Sequence, residues 1–129
     1  MSAETLKSLI ITYAKFDGSI DQRPGNHGVT IFSKDEENID MLQAMSVLCG
    51  MRCVKKHFKN VEVNIRNTHS VMPNFFNLYI TTNTDESRLE EHYKYSKRFY
   101  YKGVVWCIRT KNETIITRRN GKVVILGNC

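Results

Sequence analysis

The chain has 129 residues, of which 41% are hydrophobic, 10% aromatic and 25% charged. This length fits one domain with at most a small appendage, and the composition excludes an intrinsically disordered chain. No apolar run approaches the ~20 residues of a membrane span, and the start M-S-A-E-T-L-K has no signal-peptide pattern. Without a secretory signal, the four cysteines (Cys49, Cys53, Cys107 and Cys129) indicate free thiols in a reducing cytoplasm.

Positive charge is concentrated towards the C-terminus. Residues 94–129 contain nine lysines and arginines against Glu113 alone, a balance of +8. Residues 1–93 contain ten against twelve acidic residues, a balance of −2. Such a basic segment indicates an anionic partner, which is either nucleic acid or an acidic protein fragment.

The first third of the chain alternates between helical and extended patterns. Residues 3–16 have apolar side chains at helical spacing, namely Leu6, Leu9, Ile10, Tyr13 and Ala14. We predict that this helix ends at Asp17-Gly18, because glycine readily leaves right-handed helical geometry. Residues 19–33 form two short extended runs around a Pro-Gly-Asn turn, which predicts a β-hairpin.

The middle of the chain predicts a helix followed by strands. The helix covers residues 34–49 and stops at Gly50, and the side chains expected to face inward are Ile39, Leu42, Met45 and either Val47 or Leu48. Extended segments are predicted at 52–56, 61–66 and 75–82. Residues 85–95 suit a polar third helix, although the aromatic and basic run 93–101 is equally compatible with an extended segment.

The character of the sequence changes after Gly103. V-V-W-C-I-R (104–109), E-T-I-I-T-R (113–118) and residues 122–126 each predict a strand, and Asn120-Gly121 is a strong hairpin signal because both residues tolerate positive φ. We place a boundary near 93–103, between an α+β unit and a small all-β piece. Three short strands do not bury a core by themselves, so we expect this piece to need something to pack on and to be partly disordered alone.

Two stretches resemble the LAGLIDADG homing endonucleases. In I-I-T-Y-A-K-F-D-G-S-I (10–20), a helix that closes on Asp17-Gly18 is similar to a degenerate LAGLIDADG motif. F-S-K-D-E-E-N-I-D-M-L-Q-A-M-S-V-L-C-G (32–50) resembles the second helix of that family. The resemblance implies an α+β half domain over residues 1–95, composed of helix, β-hairpin, helix and β-strands, with or without a third helix.

The tail resembles the two C-terminal sequence blocks of inteins. These blocks correspond to G-V-V-W-C-I-R-T (103–110) and T-I-I-T-R-R-N-G-K-V-V-I-L-G-N-C (114–129), and the ending is most similar to inteins of phage-type replication genes. The resemblance implies that residues 96–128 are the C-terminal segment of an intein splicing (Hint) domain. Residue 129 would then be the first of the C-terminal flanking protein, and the location would be the cytoplasm of a bacterial or phage-infected cell.

Features of a complete intein are missing from this chain. It begins Met1-Ser2 rather than with the expected Cys or Ser nucleophile, no threonine has a histidine three residues later, and there is one LAGLIDADG-like motif where a monomeric enzyme needs two. We therefore expect a C-terminal fragment that assembles with a separate, acidic N-terminal intein fragment and acts between flanking host segments. Splicing of this kind needs no cofactor.

The resemblance assigns chemistry to the last two residues. Asn128 would attack its own main-chain carbonyl, form a succinimide and cut the bond to Cys129. Cys129 would be the nucleophile that accepts the acyl group of the partner. Holding the amide nitrogen near the carbonyl and protonating the leaving amine accelerate such a cyclisation.

Two neighbouring positions depart from the usual intein pattern. Gly127 stands where a proton-donating His is common, and a second His of the family pattern falls near Thr114. Cys107 stands where Asp is frequent, which implies a place beside the splice junction and a role in proton transfer. The alternative for Cys107 is a small buried hydrophobe on a strand. The proton donor is therefore the partner's Thr-x-x-His block, water or Cys107.

The competing function is site-specific binding or cleavage of double-stranded DNA. In this interpretation Asp17 would be a Mg²⁺ ligand, as the acid of a LAGLIDADG helix, and the alternative is an ordinary helix-terminal Asp. Basic residues that would contact DNA phosphates are Arg23, Lys55, Lys56 and Arg66, unless they are simply solvated strand positions. A small basic nucleic-acid-binding module without catalysis is a third possibility.

Two further patterns have competing explanations. The spacing Cys49-x3-Cys53-x3-His57, with His69, invites a zinc site but does not fit the usual short Cys-x2–4-Cys arrangement. Aromatic residues interleaved with Lys and Arg would either stack on bases or cover the junction between the two units, and they are Tyr93, Tyr95, Phe99, Tyr100 and Tyr101.

Overall fold

Two helices and six strands make up the fold in the computed structural model, which describes residues 1–23, 28–65, 68–82, 98–105 and 107–127. The helices are α1 (Ala3–Asp17) and α2 (Glu36–Leu48). The strands are β1 (Gly18–Ile20), β2 (Gly28–Ser33), β3 (Arg52–Ile65), β4 (Thr68–Thr81), β5 (Thr114–Arg119) and β6 (Lys122–Gly127). The predicted α+β class is confirmed.

Helix α1 begins and ends as the sequence predicts. The Ser2 hydroxyl caps it by accepting a hydrogen bond from the Thr5 N–H at 3.2 Å. Ile10 and Ala14 are buried, whereas Leu9 is 42% exposed. The helix ends at Gly18, whose φ of −152° is extended. Glycine is needed here for space, since a Cβ would lie 2.5 Å from the Thr30 carbonyl oxygen on β2.

Helix α2 packs its predicted apolar face on the core, where Met45 and Val47 are partly buried, and that face also includes polar residues. Asp35 caps it by accepting from the Glu37 N–H at 3.0 Å. Ile39 and Leu42 are buried as expected, but Leu48 is 67% exposed. Its buried residues also include two polar side chains, Gln43 and Ser46. Ser46 is satisfied within its own helix by donating to the Leu42 carbonyl at 2.8 Å.

The strands form one antiparallel sheet in the order β1-β2-β4-β3-β6-β5. β1 and β2 pair as the predicted hairpin, and its Pro-Gly-Asn turn lies outside the described residues. Helix α1 packs on β1 and β2, and α2 packs on β3, β4 and β2. The core between these layers is apolar and consists of Ile10, Ala14, Val29, Ile31, Ile39, Leu42, Cys49, Met51, Cys53, Phe76, Leu78 and Ile80.

Strands β3 and β4 are longer than the predicted extended segments. They pair continuously from Arg52↔Thr81 to Ile65↔Thr68. The sequence predicted two segments here, 52–56 and 61–66. In the structure they are one strand, and Asn60 between them has a φ of 48°. The register places it opposite Pro73, which has no N–H to donate to the ladder. Two residues poorly suited to a strand thus occur at one position of the ribbon.

The C-terminal residues depart most from expectation. The predicted strand at 104–109 is wrong, because the residues described there (104–105 and 107–109) have no regular structure. The other two predicted strands are confirmed as β5 and β6, and they join the sheet through β3 rather than forming a separate all-β piece. The predicted third helix at 85–95 and the boundary at 95/96 fall in residues 83–97, outside the described part of the chain.

Candidate functional site at the C-terminal hairpin

Strands β5 and β6 form a hairpin that leads directly to the predicted splice junction. Asn120 and Gly121 form the turn with φ values of 51° and 74°, which confirms the predicted positive-φ turn. The strands pair from Arg119↔Lys122 to Thr114↔Gly127. Gly127 is therefore the last residue of β6. Asn128 and Cys129 lie outside the described residues.

The turn of the hairpin docks against β3 and α2. The Gly121 carbonyl accepts a hydrogen bond from the Lys55 N–H at 2.9 Å and another from Gln43 Nε2 at 2.8 Å. A Cβ on Gly121 would overlap the carbonyl oxygen of Lys55. Only glycine permits this approach, so Gly121 serves both the turn and its docking.

An ionic cluster holds the turn end of the hairpin on α2. Asp40 binds Lys55 Nζ at 2.5 Å and the Arg118 guanidinium at 2.6 Å. Glu36 binds the same Lys55 ammonium at 2.6 Å, and Arg118 also donates to Gln43 Oε1 at 3.3 Å. We call these five residues (Glu36, Asp40, Gln43, Lys55 and Arg118) the docking cluster.

The charges of the docking cluster stabilise one another. Burial opposes ionisation of Asp40, but hydrogen bonds from Arg118 and Lys55, with their positive charges, hold its pKa below the ordinary value. Burial likewise disfavours the charged Lys55, but Asp40 and Glu36 outweigh it and raise the Lys55 pKa. Both groups are therefore charged at neutral pH. This arrangement holds the hairpin and has no free acid or base for catalysis.

Sequence reasoning missed the docking cluster except for Lys55. One signal was present: Gln43 and Ser46 are polar residues at helical spacing with Ile39 and Leu42, on the face that should be apolar. A buried polar side chain needs a partner. For Gln43 that partner lies 78 residues away in sequence, which local patterns do not reveal.

The segment before the hairpin is apolar and exposed. Residues 98–105 and 107–113 contain no helix or strand. Their large apolar side chains are open to solvent, with exposed fractions of 80% for Phe99, 90% for Tyr100, 84% for Val104 and 83% for Val105. Among the described residues, none after Ile80 belongs to the buried core. The C-terminal part of the chain thus has no core of its own.

An open apolar groove separates α2 from the hairpin. Its volume is about 280 Å³, and its walls include Ala44, Val47 and Leu48 of α2 and Ile116 and Val123 of the hairpin. Asp40 and Arg118 lie at its rim side by side. The hairpin is therefore held to α2 by polar contacts at its turn, and its apolar side chains are not fully packed.

The sheet face opposite the helices combines aromatic and basic side chains. Residues alternate along β3, so Lys55 faces α2 whereas Lys56 faces outward. Lys56 Nζ lies 5.2 Å from the centroid of the Tyr79 ring, and Phe58 stacks on Phe75 with a centroid distance of 4.9 Å. We call this surface the outer face. It contains one of the four predicted DNA contacts, Lys56.

The other predicted DNA and metal residues are placed elsewhere. Lys55 belongs to the docking cluster, with its side chain 10% exposed. Arg23 forms an ion pair with Asp21 at 2.5 Å, and Arg66 lies outside the described residues. Asp17 is exposed at the end of α1. In the described ranges, no three His, Cys, Asp or Glu side chains converge to hold a metal ion.

The three described cysteines fall into two environments. Cys49 and Cys53 are free and buried. Burial raises the pKa of the Cys49 thiol, and it raises that of Cys53 to about 11. Both are therefore poor nucleophiles, and no described metal cluster supports the zinc hypothesis. Cys107 is exposed in the irregular segment before β5, not buried on a strand as the alternative required.

The fold and site define a mixed α+β protein in which an antiparallel sheet accepts a C-terminal hairpin at one end. The chain matches no protein-family profile and no solved structure. It is similar to the ribonucleoside-diphosphate reductase subunit beta of Aquifex aeolicus (strain VF5), with 28% identity over 130 residues. That alignment covers all of this chain and 17% of the relative's length. Within the described ranges, neither helix has the length and apolarity to cross a bilayer.

Proposed function

We propose that this chain is the C-terminal fragment of an intein and acts in protein trans-splicing with a separate N-terminal fragment. In this proposal residues 1–95 are a LAGLIDADG-like half domain and the C-terminal segment completes a Hint fold with the partner. The intein-like sequence of residues 103–129 suggests this function, and the structure adds support from the surface of the same residues.

The observation that carries the proposal is that the described residues of the C-terminal part contribute no side chain to the buried core. Nine large apolar residues between Phe99 and Leu126 are exposed, among them Ile116, Ile125 and Leu126 of the hairpin. Solvent-exposed apolar side chains in such number mark a surface that a partner covers. A fragment whose core is supplied by another chain has this property, and a self-sufficient domain does not.

The proposed chemistry uses the two residues that follow β6. The Cys129 thiolate attacks the (thio)ester presented by the partner, and the partner's own nucleophile leaves. The side-chain nitrogen of Asn128 then attacks the Asn128 carbonyl carbon, forms the succinimide and releases the Cys129 amine. That amine takes the acyl group from the Cys129 sulfur, which completes a peptide bond and regenerates the thiol.

Space around Gly127 supports a proton donor supplied from outside this chain. A Cβ built on Gly127 meets no atom within 4 Å. The position that usually carries a His in inteins is therefore open among the described residues, and a side chain of the partner has room beside Gly127. Cys107 is exposed and also accessible to the partner, so it remains a candidate for assisting proton transfer.

The reductase similarity is compatible with this proposal. An intein is translated inside its host protein, and a match to 17% of a longer polypeptide is what an inserted segment would give. It is equally compatible with a structural part of a reductase subunit. The two differ in one property, since a reductase segment would neither cleave after Asn128 nor transfer an acyl group.

The test appends a peptide tag after Cys129 and mixes the chain with candidate acidic N-terminal intein fragments. We expect tag transfer to the partner's flanking peptide in the unaltered chain. Asn128→Ala should stop at the branched intermediate, and Cys129→Ala should abolish transfer while still permitting release of the tag. If tag transfer and tag release were the same in the unaltered chain and in both variants, with every partner fragment tried, the splicing proposal would be refuted.

The outer face favours a second function, binding of double-stranded DNA. Asn77 is 7% exposed, donates to the Tyr79 hydroxyl at 3.1 Å, and has an Oδ1 atom without a hydrogen-bond partner in the described part of the protein. This Oδ1 atom is closed to solvent and belongs to the packing of the sheet, so the case for DNA rests on the exposed Lys56 beside it. The adjacent Lys56 has the charge that phosphates require. Mg²⁺ would be needed only for cleavage.

DNA binding is tested by titrating duplex DNA at several salt concentrations. Lys56→Ala should weaken binding. It should also reduce the slope of log K against log salt concentration by about one, which corresponds to one counterion fewer released. Lys7→Ala on α1, an exposed lysine on the helical side of the sheet, is the matched control and should leave both unchanged. Equal effects of the two substitutions would assign the binding to overall charge rather than to the outer face.

A further inference from the structure

The structure points to a role for the LAGLIDADG-like half domain in splicing itself. We infer that Asp40 and Gln43 of α2 are positioning residues that hold the β5–β6 hairpin in register before the N-terminal fragment binds. The inference rests on the proposed function only in its consequence for splicing. The docking itself is a property of this chain alone and is measurable without a partner.

Gln43 is held by the hairpin at both ends of its side-chain amide. It is 2% exposed, and both ends of its amide are used by the hairpin: Nε2 donates to the Gly121 carbonyl at 2.8 Å, and Oε1 accepts from Arg118 at 3.3 Å. A buried amide is stabilised only where its partners are fixed. If the hairpin moved away, Gln43 would lose both of these partners.

Asp40 adds a charge-based restraint from the same helix, one turn earlier. Its carboxylate accepts from Arg118 at both oxygens, at 2.6 Å and 3.1 Å, and binds Lys55 at 2.5 Å. A guanidinium held by two oxygens is restricted in direction as well as in distance. Arg118 is two residues from the turn, so this contact selects one orientation of the hairpin on the sheet edge.

The docking contacts are confined to the turn end of the hairpin. β3 pairs with β6 only at Val54↔Lys122, next to the Lys55–Gly121 hydrogen bond. From there β6 runs six residues to Gly127, about 20 Å at strand geometry, towards the junction. The half domain therefore fixes one end of the strand that leads to Asn128, and the other end is left for the partner.

Order within the C-terminal part should accordingly be uneven. The hairpin has anchors in the docking cluster, whereas the described residues of 98–113 are exposed and irregular. We expect the hairpin to be folded in the isolated chain. A partner then binds a preformed strand pair and does not have to order it. The apparent Kd is the intrinsic Kd divided by the fraction of chains whose hairpin is folded, so a larger folded fraction gives tighter binding.

The first experiment measures hydrogen exchange of the full chain alone. Gln43→Ala and Asp40→Asn should each lower the protection of the β5 and β6 amides about tenfold and leave α1 and β2 unchanged. Ser46→Ala is the matched control, because Ser46 is a buried polar residue of α2 whose hydrogen bond stays within the helix. Unchanged hairpin protection in both test variants, or an equal loss in Ser46→Ala, would overturn the inference.

The second experiment measures trans-splicing against partner concentration. Gln43→Ala should raise the concentration for half-maximal rate about tenfold, with the rate at saturation within about twofold of the unaltered chain. A lower saturated rate with an unchanged half-maximal concentration would indicate general misfolding and overturn the consequence for splicing. If the unaltered chain does not splice but its hairpin protection responds as predicted, the proposed function fails and the docking role stands.

A double-substitution cycle checks the ionic part separately. Asp40→Asn and Arg118→Gln should each reduce hairpin protection, and the double variant should lose less than the sum of the two single effects. Both remove the Asp40–Arg118 contact, while Asp40 also binds Lys55 and Arg118 also donates to Gln43. Fully additive losses would show that Asp40 and Arg118 act independently. That result would contradict the proposal that the pair restrains the hairpin together.

Discussion

Gly121 lies against the main chain of Lys55 so closely that any side chain at this position would overlap the Lys55 carbonyl oxygen. The two residues are far apart in sequence, yet the Lys55 N–H also donates to the Gly121 carbonyl at 2.9 Å. The hairpin turn is therefore part of the sheet edge and not a free loop. Its conformation and its docking depend on the same missing Cβ.

Gly121→Ala is predicted to undock the hairpin. Its φ of 74° disfavours alanine by about 1 kcal/mol, and the overlap with Lys55 requires the turn to move. Amide exchange of β5 and β6 should rise sharply, with the α1 and β2 amides unchanged. Gly127→Ala is the control, since a Cβ there meets no atom within 4 Å. Equal exchange in the two variants would contradict the close approach.

Gly18→Ala is predicted to destabilise the half domain by about 2 kcal/mol, because the added Cβ would lie 2.5 Å from the Thr30 oxygen and 2.9 Å from the Ala14 oxygen. Both atoms are main chain and cannot rotate away. Gly28→Ala is the matched control, with its nearest contact at 3.9 Å. Urea denaturation of both variants decides the question, and a midpoint shift no larger for Gly18→Ala than for Gly28→Ala would exclude the steric explanation.

The free energy with which the docking cluster holds the hairpin should be largest and nearly constant at intermediate pH. The folded pKa of Asp40 is below the ordinary 3.8, so its contribution is present above that pH and is lost as the pH falls through the folded value. The folded pKa of Lys55 is above the ordinary 10.5, so its contribution is present below that pH and is lost as the pH rises further. Because Asp40 is partly exposed, the acid-side loss should be about 1 kcal/mol or less.

This pH dependence is measurable by following the hairpin amide resonances from pH 3 to 7. Asp40→Asn should flatten the acid limb, since it removes the titrating carboxylate. Glu36 also binds Lys55, so the Lys55 ammonium keeps one carboxylate partner in that variant. An acid limb of the same size in Asp40→Asn would assign it to other carboxylates.

Cysteine reactivity should divide along the burial pattern. With a pKa of about 11, the fraction of Cys53 present as thiolate at pH 8 is on the order of one in a thousand, and the thiol is also buried. Cys107 is exposed, so we expect iodoacetamide to label it before Cys49 and Cys53 in the native chain, as identified by peptide mass spectrometry. In concentrated urea Cys49, Cys53 and Cys107 should react at similar rates. Rapid native labelling of Cys53 would contradict the packed core.

Local sequence signals predicted the elements that depend on neighbouring residues. Asn120-Gly121 marks the hairpin turn, because both residues tolerate positive φ, and Asp17-Gly18 marks the end of α1, where the extended glycine leaves space for the main chain of Thr30. The β-propensity of residues 104–109 predicted a strand, but propensity alone does not form one. A strand needs a hydrogen-bonding neighbour, and the residues described there have no regular structure.

The sequence by itself determined the helices, the two hairpins, the α+β class, the basic C-terminal charge and the intein-like ending that suggests a function. Only the tertiary structure decided that the polar Gln43 belongs to the buried face of α2 and where the C-terminal hairpin lies. Gln43 is on the buried face because Gly121 and Arg118 satisfy its amide from 75 or more residues away. Contacts over such separations depend on how the chain closes in space, and no local pattern of residues encodes that closure.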